Sequence, residues 1–144
     1  MQTVILCGGK GTRMREETEY RPKPMVEIGG RPILWHIMKM YAHYGHNEFI
    51  LPLGYKGHMI RQYFIENRLF RNDFTFDMST NQVGLHQNAS DNFKITFVDT
   101  GEETLTGERV SRIRAYIKDD LFMVTYGDGV GDIPIDRLIA FHRA

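Results

Sequence analysis

A glycine-rich segment near the N-terminus, residues 7–14, has the residue types and spacing to bind a phosphate group. Glycine lacks a Cβ atom, so the backbone N–H groups of such a segment can approach an anion closely. A hydroxyl and a guanidinium follow the glycines, and the guanidinium can meet negative charge that develops on a phosphate. The residues concerned are Gly8, Gly9, Gly11, Thr12 and Arg13.

Two common phosphate-binding motifs do not fit this segment. A Walker loop needs four residues between its first glycine and a Gly-Lys-Ser/Thr triplet, and that spacing does not occur. A dinucleotide-binding fingerprint needs a third glycine where Met14 stands, and Pro22 and Pro24 prevent the prompt helix that would receive a pyrophosphate. Two interpretations remain: a turn that presents Arg13 to a phosphate, or a tight surface turn with a solvated arginine.

Two further charged residues lie between residues that restrict or direct the local backbone. Lys23 lies between Pro22 and Pro24, whose fixed φ angles restrict the segment around a potentially catalytic cation. Asp128 lies between two glycines directly after an apolar run, where parallel sheets bind ligands and a carboxylate can hold Mg²⁺. The alternative for each is ordinary loop or turn chemistry, in which the charge is simply solvated.

The apolar patterns predict an alternation of strands and helices that brings these residues to one edge of a sheet. Short apolar runs predict buried parallel strands, and apolar residues at helical spacing predict the helices between them. Residues 71–93 break the alternation and are predicted to form an inserted hairpin or flap. The predicted strands lie at residues 4–7, 48–53, 94–98 and 121–126, and the predicted helices lie at 32–45, 59–64, 105–117 and from 134 onward.

Length, composition and charge limit the class of protein. A chain of 144 residues with 42% hydrophobic and 25% charged residues has the size and composition of one globular domain. A formal net charge of zero argues against a protein that coats nucleic acid or an anionic membrane. The single cysteine permits no intrachain disulfide, and no apolar run nears the ~20 residues that span a bilayer, so a cytoplasmic location is expected.

Four segments occur in an order and spacing that resemble the sugar-1-phosphate nucleotidyltransferase family. They are GGKGTRM, RPKPMVEIGGRPILWHIM, VDTGEETLTGERV and VTYGDGV. Within the family they resemble the glucose-1-phosphate cytidylyltransferase branch. The resemblance implies a Rossmann-like three-layer α/β/α fold with a mostly parallel sheet. It also implies that the sequence is truncated, since family members continue well beyond this length.

The resemblance further implies a reaction and a set of residue roles. CMP would be transferred from CTP to α-D-glucose 1-phosphate, giving CDP-glucose and pyrophosphate, with Mg²⁺ as cofactor and a homo-oligomer as the full-length form. Arg13 and Lys23 would be catalytic, and Asp128 would bind the metal. The implied nucleotide-binding residues are Leu6, Gly8, Gly9, Gly11, Thr12, Arg13, Lys23, Thr104, Arg109 and Asp128. Two alternatives stay open: a nucleotidyltransferase that uses UTP or dTTP, and a catalytically incomplete nucleotide-binding fragment.

Overall fold

A computed structural model describes residues 1–10, 20–86 and 91–144 of the chain. Strands and helices alternate through most of these ranges. The strands are β1 (Thr3–Leu6), β2 (Glu27–Ile28), β3 (Arg31–Pro32), β4 (Glu48–Leu53), β5 (Phe74–Asp77), β6 (Gln82–Leu85), β7 (Lys94–Asp99) and β8 (Met123–Tyr126). The helices are α1 (Ile33–His43), α2 (Gly57–Phe70), α3 (Thr106–Arg112) and α4 (Ile135–Arg143), and short 3-10 turns lie at Lys23–Met25 and Arg114–Tyr116.

Among the described residues, four strands form a parallel sheet in the order β7-β4-β1-β8. In the register of this sheet, Thr3 of β1 lies opposite Phe49 of β4 and Met123 of β8. Parallel neighbours need long crossover connections, and α1, α2 and α3 lie in the three connections between the strands. The carboxyl ends of all four strands therefore lie at the same edge of the sheet, as the sequence pattern predicted.

Apolar side chains fill both faces of this sheet, because successive residues of a strand point to opposite sides. On one face Ile5 and Phe49 belong to a buried cluster that also includes residues of α1, α2 and α4. On the other face Val4 and Ile50 pack with Ile113, the residue that directly follows α3. Helical segments thus cover both faces, which confirms the predicted three-layer α/β/α arrangement.

Residues 71–93 include an antiparallel hairpin of β5 and β6, in which Phe74 pairs with Leu85. The hairpin forms a sheet of its own and does not join the parallel sheet. Most of its residues are exposed to solvent. That this segment is an insertion into the domain stays a prediction, and residues 87–90 lie outside the described part of the chain. In the described ranges, moreover, no helix combines the length and apolar character needed to cross a bilayer.

The segment before β7 is held against α1 by a side-chain hydrogen bond. Trp35 Nε1 donates to Asp91 Oδ2 at 2.7 Å. Because a hydrogen bond to a charged group contributes about 1.5–3 kcal/mol, we expect Trp35→Phe to lower the free energy of unfolding by about that amount. Urea denaturation of Trp35→Phe, Asp91→Ala and the double variant checks this. Fully additive losses in the two single variants would contradict the contact.

Candidate functional site

A cavity of about 500 Å³ lies at the carboxyl edge of the parallel sheet. We call it the edge cavity. Ligand crevices of open α/β sheets occur outside the carboxyl ends of the strands, and this cavity has that position. Its walls are formed by Leu6, Cys7, Gly8, Gly9, Lys10, Lys23, Pro24, Glu102, Glu103, Thr104, Leu105, Thr106, Arg109, Tyr126 and Asp128.

The edge cavity brings together residues that the sequence singled out from distant parts of the chain. Every predicted nucleotide-binding residue within the described ranges lines it. These residues are Leu6, Gly8, Gly9, Lys23, Thr104, Arg109 and Asp128. Gly11, Thr12 and Arg13 lie outside the described residues, so the structure gives them no position. That these residues bind a nucleotide stays a prediction.

Lys23 and Asp128 face each other in the edge cavity. Lys23 begins a 3-10 turn whose preceding residue, Pro22, has a φ of −68°, and Pro24 in that turn is buried. Lys23 Nζ lies 3.6 Å from Asp128 Oδ2, and the side chain of Asp128 is 44% exposed. A cation that can meet a phosphate and a carboxylate that can meet a metal ion are therefore adjacent, and ligands can reach both of them.

The turn that carries Asp128 depends on the absence of a side chain at Gly127. A Cβ atom built at this position would lie 2.9 Å from the Leu6 carbonyl oxygen and 3.1 Å from Pro24 Cγ. The Gly127 N–H donates to that same Leu6 carbonyl at 3.1 Å. Glycine thus lets the chain after β8 pass close to both β1 and the lysine turn, which places Asp128 beside Lys23.

Another ion pair lines the edge cavity. Lys10, beyond the end of β1, pairs with Glu103, which follows β7, and both side chains are exposed. The hydrogen bond from Lys10 to Glu103 raises the pKa of the lysine above its ordinary value. The sequence analysis did not single out this pair, nor Tyr126, the last residue of β8. Their position in the sequence could have identified them, because residues at or just after the carboxyl ends of parallel strands lie at the same edge of the sheet.

Arg109 lies at the buried side of the edge cavity, with only 4% of its surface exposed. Its terminal nitrogens donate to oxygen atoms at the carboxyl ends of β1, β4 and β7, including the carbonyls of Gly8 at 2.9 Å and Gly101 at 2.7 Å. Burial lowers the pKa of the guanidinium, with a smaller contribution from nearby Arg112. Arg109 therefore places a positive charge at the buried side of the edge cavity, where its guanidinium donates hydrogen bonds to backbone carbonyls.

Asp128 could supply one ligand of a metal ion. Mg²⁺ in phosphate-handling sites is held by one or two carboxylates, substrate phosphates and water, so a single exposed carboxylate beside a cavity fits this donor set. Within residues 1–10, 20–86 and 91–144, no group of three or more His, Cys, Asp or Glu is arranged to hold a metal ion by itself. Asp128 is therefore suited to bind a metal ion whose other ligands include the phosphate oxygens of a substrate.

Cys7 lines the edge cavity, and only 1% of its surface is exposed. Burial, and secondarily the negative charge of Asp128, raises the pKa of its thiol far above the ordinary range. Since the thiolate is the reactive form, we expect Cys7 to react with DTNB at pH 8 roughly a hundredfold more slowly in the folded chain than in urea. Complete reaction of one thiol per folded chain at the unfolded rate would contradict this placement.

A family model and individual known proteins both match nearly the whole chain. The sequence model of the family described as "Nucleotidyl transferase" matches residues 2–144. Glucose-1-phosphate cytidylyltransferase of Salmonella typhimurium is 51% identical over the whole chain, and probable glucose-1-phosphate cytidylyltransferase of Bacillus subtilis is 51% identical over 99% of it. In both comparisons the chain spans 56% of the relative's own length.

Solved structures have the same architecture. HddC from Yersinia pseudotuberculosis, in a complex with GMP-PN, superimposes with a TM-score of 0.72 at 27% identity, over 97% of this chain and 53% of that one. UTP-bound UGPase from Acinetobacter baumannii gives a TM-score of 0.72 at 21% identity, over 99% of this chain and 52% of that one, and this match bears on the fold alone. The predicted Rossmann-like fold with a parallel sheet is therefore confirmed.

Proposed function

This chain belongs to the nucleotidyl transferase family, and on that premise we propose that it forms the nucleotide side of a site that transfers a nucleotidyl group to a sugar 1-phosphate. The observation that carries the proposal is the pairing of Lys23 with Asp128 in the edge cavity, which the first glycines after β1 also line. A cation, a carboxylate and backbone N–H groups at one sheet edge suit a triphosphate with its metal ion.

We propose CTP and α-D-glucose 1-phosphate as the substrates, and CDP-glucose and pyrophosphate as the products. Support comes from the two cytidylyltransferase relatives at 51% identity. In this reaction a phosphate oxygen of the sugar phosphate attacks the α-phosphorus of CTP. The bond from that phosphorus to the oxygen bridging to the β-phosphate breaks, and pyrophosphate leaves with the electron pair. The homo-oligomer and the cytoplasmic location stay predictions.

The residues of this chain would contribute positioning and charge, and no protein nucleophile is needed. Lys23 and Arg13 would offset negative charge on the phosphates during the transfer. Backbone N–H groups of the glycine-rich segment, with Thr12, would hold the triphosphate. Asp128 would hold Mg²⁺, which when bound offsets phosphate charge. The further nucleotide-binding residues proposed here are Leu6, Gly8, Gly9, Gly11, Thr104 and Arg109.

A second candidate is nucleotide binding without turnover. It is favoured by the fact that the chain spans 56% of the length of the two cytidylyltransferases. In this case the edge cavity would hold a triphosphate, but the sugar phosphate would find too few contacts to be held in line for attack. The two candidates share the same residues and differ only in whether pyrophosphate is formed.

Pyrophosphate release separates these candidates. The chain is incubated with Mg²⁺, glucose 1-phosphate and either CTP, UTP or dTTP, and pyrophosphate is measured over time. Sustained release that is fastest with CTP is the expected result for the proposed reaction, whereas faster release with UTP or dTTP would overturn the choice of base. Saturable CTP binding without release would establish the second candidate. Neither binding nor release with any triphosphate would contradict both.

A further inference from the structure

We propose that Arg109 is a positioning residue, which holds the start of the glycine-rich segment in place before any nucleotide arrives. Its Nη2 atom donates to the Gly8 carbonyl at 2.9 Å and to the Glu102 carbonyl at 3.0 Å. The Tyr55 N–H, just beyond β4, donates to the same Gly8 carbonyl at 3.3 Å. The Gly8 carbonyl is therefore fixed by groups that lie 101 and 47 residues away in the sequence.

The other terminal nitrogen of Arg109 extends this network to the next two strands. Nη1 donates to Thr100 Oγ1 at 2.7 Å, to the Gly101 carbonyl at 2.7 Å and to the Leu53 carbonyl at 3.2 Å. The Thr100 hydroxyl in turn donates to the Leu53 carbonyl at 2.7 Å. One guanidinium thus joins the last residue of β4 to the chain segments that follow β1 and β7, and its planar shape allows it to donate to acceptors on several sides.

Two glycines provide the space for this guanidinium. A Cβ atom at Gly8 would lie 2.1 Å from Arg109 Nη1, and one at Gly54 would lie 2.6 Å from the same atom. At Gly9, by contrast, a Cβ atom would meet no atom within 4 Å in the described part of the chain beyond its two neighbours in sequence. Gly8 and Gly54 therefore leave the space that the Arg109 guanidinium occupies, whereas the described residues place no such steric demand on Gly9.

The charge of Arg109 is compensated mainly by carbonyl oxygens. Among the described residues, no carboxylate oxygen lies within 4.0 Å of its guanidinium. A buried charge is costly unless hydrogen bonds satisfy it, so the strand ends must keep their arrangement for Arg109 to stay in place. The network is therefore expected to keep the strand ends and the Gly8 carbonyl in one arrangement.

This inference rests on the proposed function for its consequence in binding. The Gly8 carbonyl and the Gly9 N–H belong to one trans peptide unit, in which they point in opposite directions. Fixing the carbonyl toward the buried guanidinium directs the Gly9 N–H away from it. Gly9 is exposed, and its N–H is among the donors proposed to hold the triphosphate. Arg109 would thereby set the direction of a phosphate-binding group through the backbone.

Backbone order in the nucleotide-free chain tests the proposal. ¹⁵N relaxation is measured on the parent chain and on Arg109→Lys, which keeps the charge but loses the planar fork. We expect the order parameter of Gly9 to be about 0.85 in the parent and below about 0.6 in the variant, while Ile50 in β4 stays near 0.85 in both. An unchanged order parameter at Gly9 in a folded variant would overturn the proposal.

Thr100→Val provides the second variant if Arg109→Lys does not fold. Thr100 is fully buried and does not line the edge cavity, so this change leaves the charge of Arg109 and the ligand contacts intact. We expect a smaller loss of order at Gly9, and no loss in the folded variant would overturn the proposal. No nucleotide is present in these measurements, so a failure of the parent to bind CTP would contradict the proposed function without changing their outcome.

Binding measurements distinguish positioning from direct phosphate contact. If Arg109 acts through Gly8, Arg109→Lys weakens CTP binding about tenfold or more, while weak binding of cytidine, which has no phosphate, is unchanged. If Arg109 instead meets the phosphates only as a charge, the lysine variant keeps parent-like affinity and parent-like order at Gly9. That second pattern would contradict the positioning role.

Discussion

Lys23→Met is expected to weaken the binding of CTP with Mg²⁺ by roughly 10- to 150-fold. The lysine ammonium lies on the wall of the edge cavity, 3.6 Å from Asp128, where it can meet a phosphate oxygen. A hydrogen bond to a charged group contributes about 1.5–3 kcal/mol, which corresponds to that change in affinity. Methionine retains most of the side-chain length and removes the charge. Isothermal titration calorimetry of the parent and variant measures the difference.

Lys94→Met is the matched control. Lys94 starts β7 at the opposite end of the sheet from the edge cavity, and its ammonium lies 3.5 Å from Glu48. The same chemical change is therefore made at a side chain that is 71% exposed and remote from the proposed phosphates. We expect CTP affinity within about twofold of the parent, as for a screened surface charge. Equal losses of CTP affinity in Lys23→Met and Lys94→Met would contradict a specific role for Lys23.

Gly8→Ala is expected to destabilise the fold by about 1–3 kcal/mol. The new methyl group would lie 2.1 Å from Arg109 Nη1 and 2.2 Å from Arg109 Cζ, so the guanidinium or the backbone must move. Overpacking of a buried site has a cost of that order, and displacement would also break hydrogen bonds of a buried charge. Urea denaturation gives the change in the free energy of unfolding.

Gly9→Ala separates this steric effect from a general intolerance of side chains near the loop. Among the described residues, no atom outside Gly9 and its two chain neighbours lies within 4 Å of a Cβ at Gly9, and the residue is exposed. We expect its free energy of unfolding to stay within about 0.5 kcal/mol of the parent. This comparison concerns stability alone, because Gly9 is itself among the proposed nucleotide-binding residues. Equal destabilisation by both substitutions would refute the close fit between Gly8 and Arg109.

Much of the fold follows from local patterns. The predicted strand at residues 48–53 coincides with β4, and the predicted strand at 94–98 is one residue shorter than β7. Gly29 and Gly30, whose φ angles are +59° and +75°, form the turn that joins β2 to β3. These elements were predictable because β-strands and glycine turns have strong requirements that act over a few residues.

The prediction of one helix over residues 105–117 was wrong in its length. The helix α3 ends at Arg112, and a separate 3-10 turn follows at Arg114–Tyr116. Ile113 and Ile117 nevertheless pack in the same buried cluster. Their spacing satisfies the apolar pattern whether or not the helix is continuous, so periodicity could not reveal the break.

The candidate site was predictable in its composition but not in its contacts. The glycines, Lys23 and Asp128 were found from local chemistry, because each lies beside residues that fix backbone conformation. Arg109 was expected to bind the nucleotide only through the resemblance. Its hydrogen bond to the Gly8 carbonyl joins residues 101 positions apart. No local pattern specifies such a contact, since it depends on the register of three strands and on the space left at Gly8.

Calorimetric titration of the chain with CTP and Mg²⁺ tests the central proposal, that the edge cavity is a triphosphate site. We predict saturable binding of one CTP per chain at concentrations below about 1 mM, competition by pyrophosphate, and weakened binding in Lys23→Met but not in Lys94→Met. No saturable binding of CTP, UTP or dTTP to the folded chain, or binding that is unaffected by the loss of Lys23, would contradict the proposal.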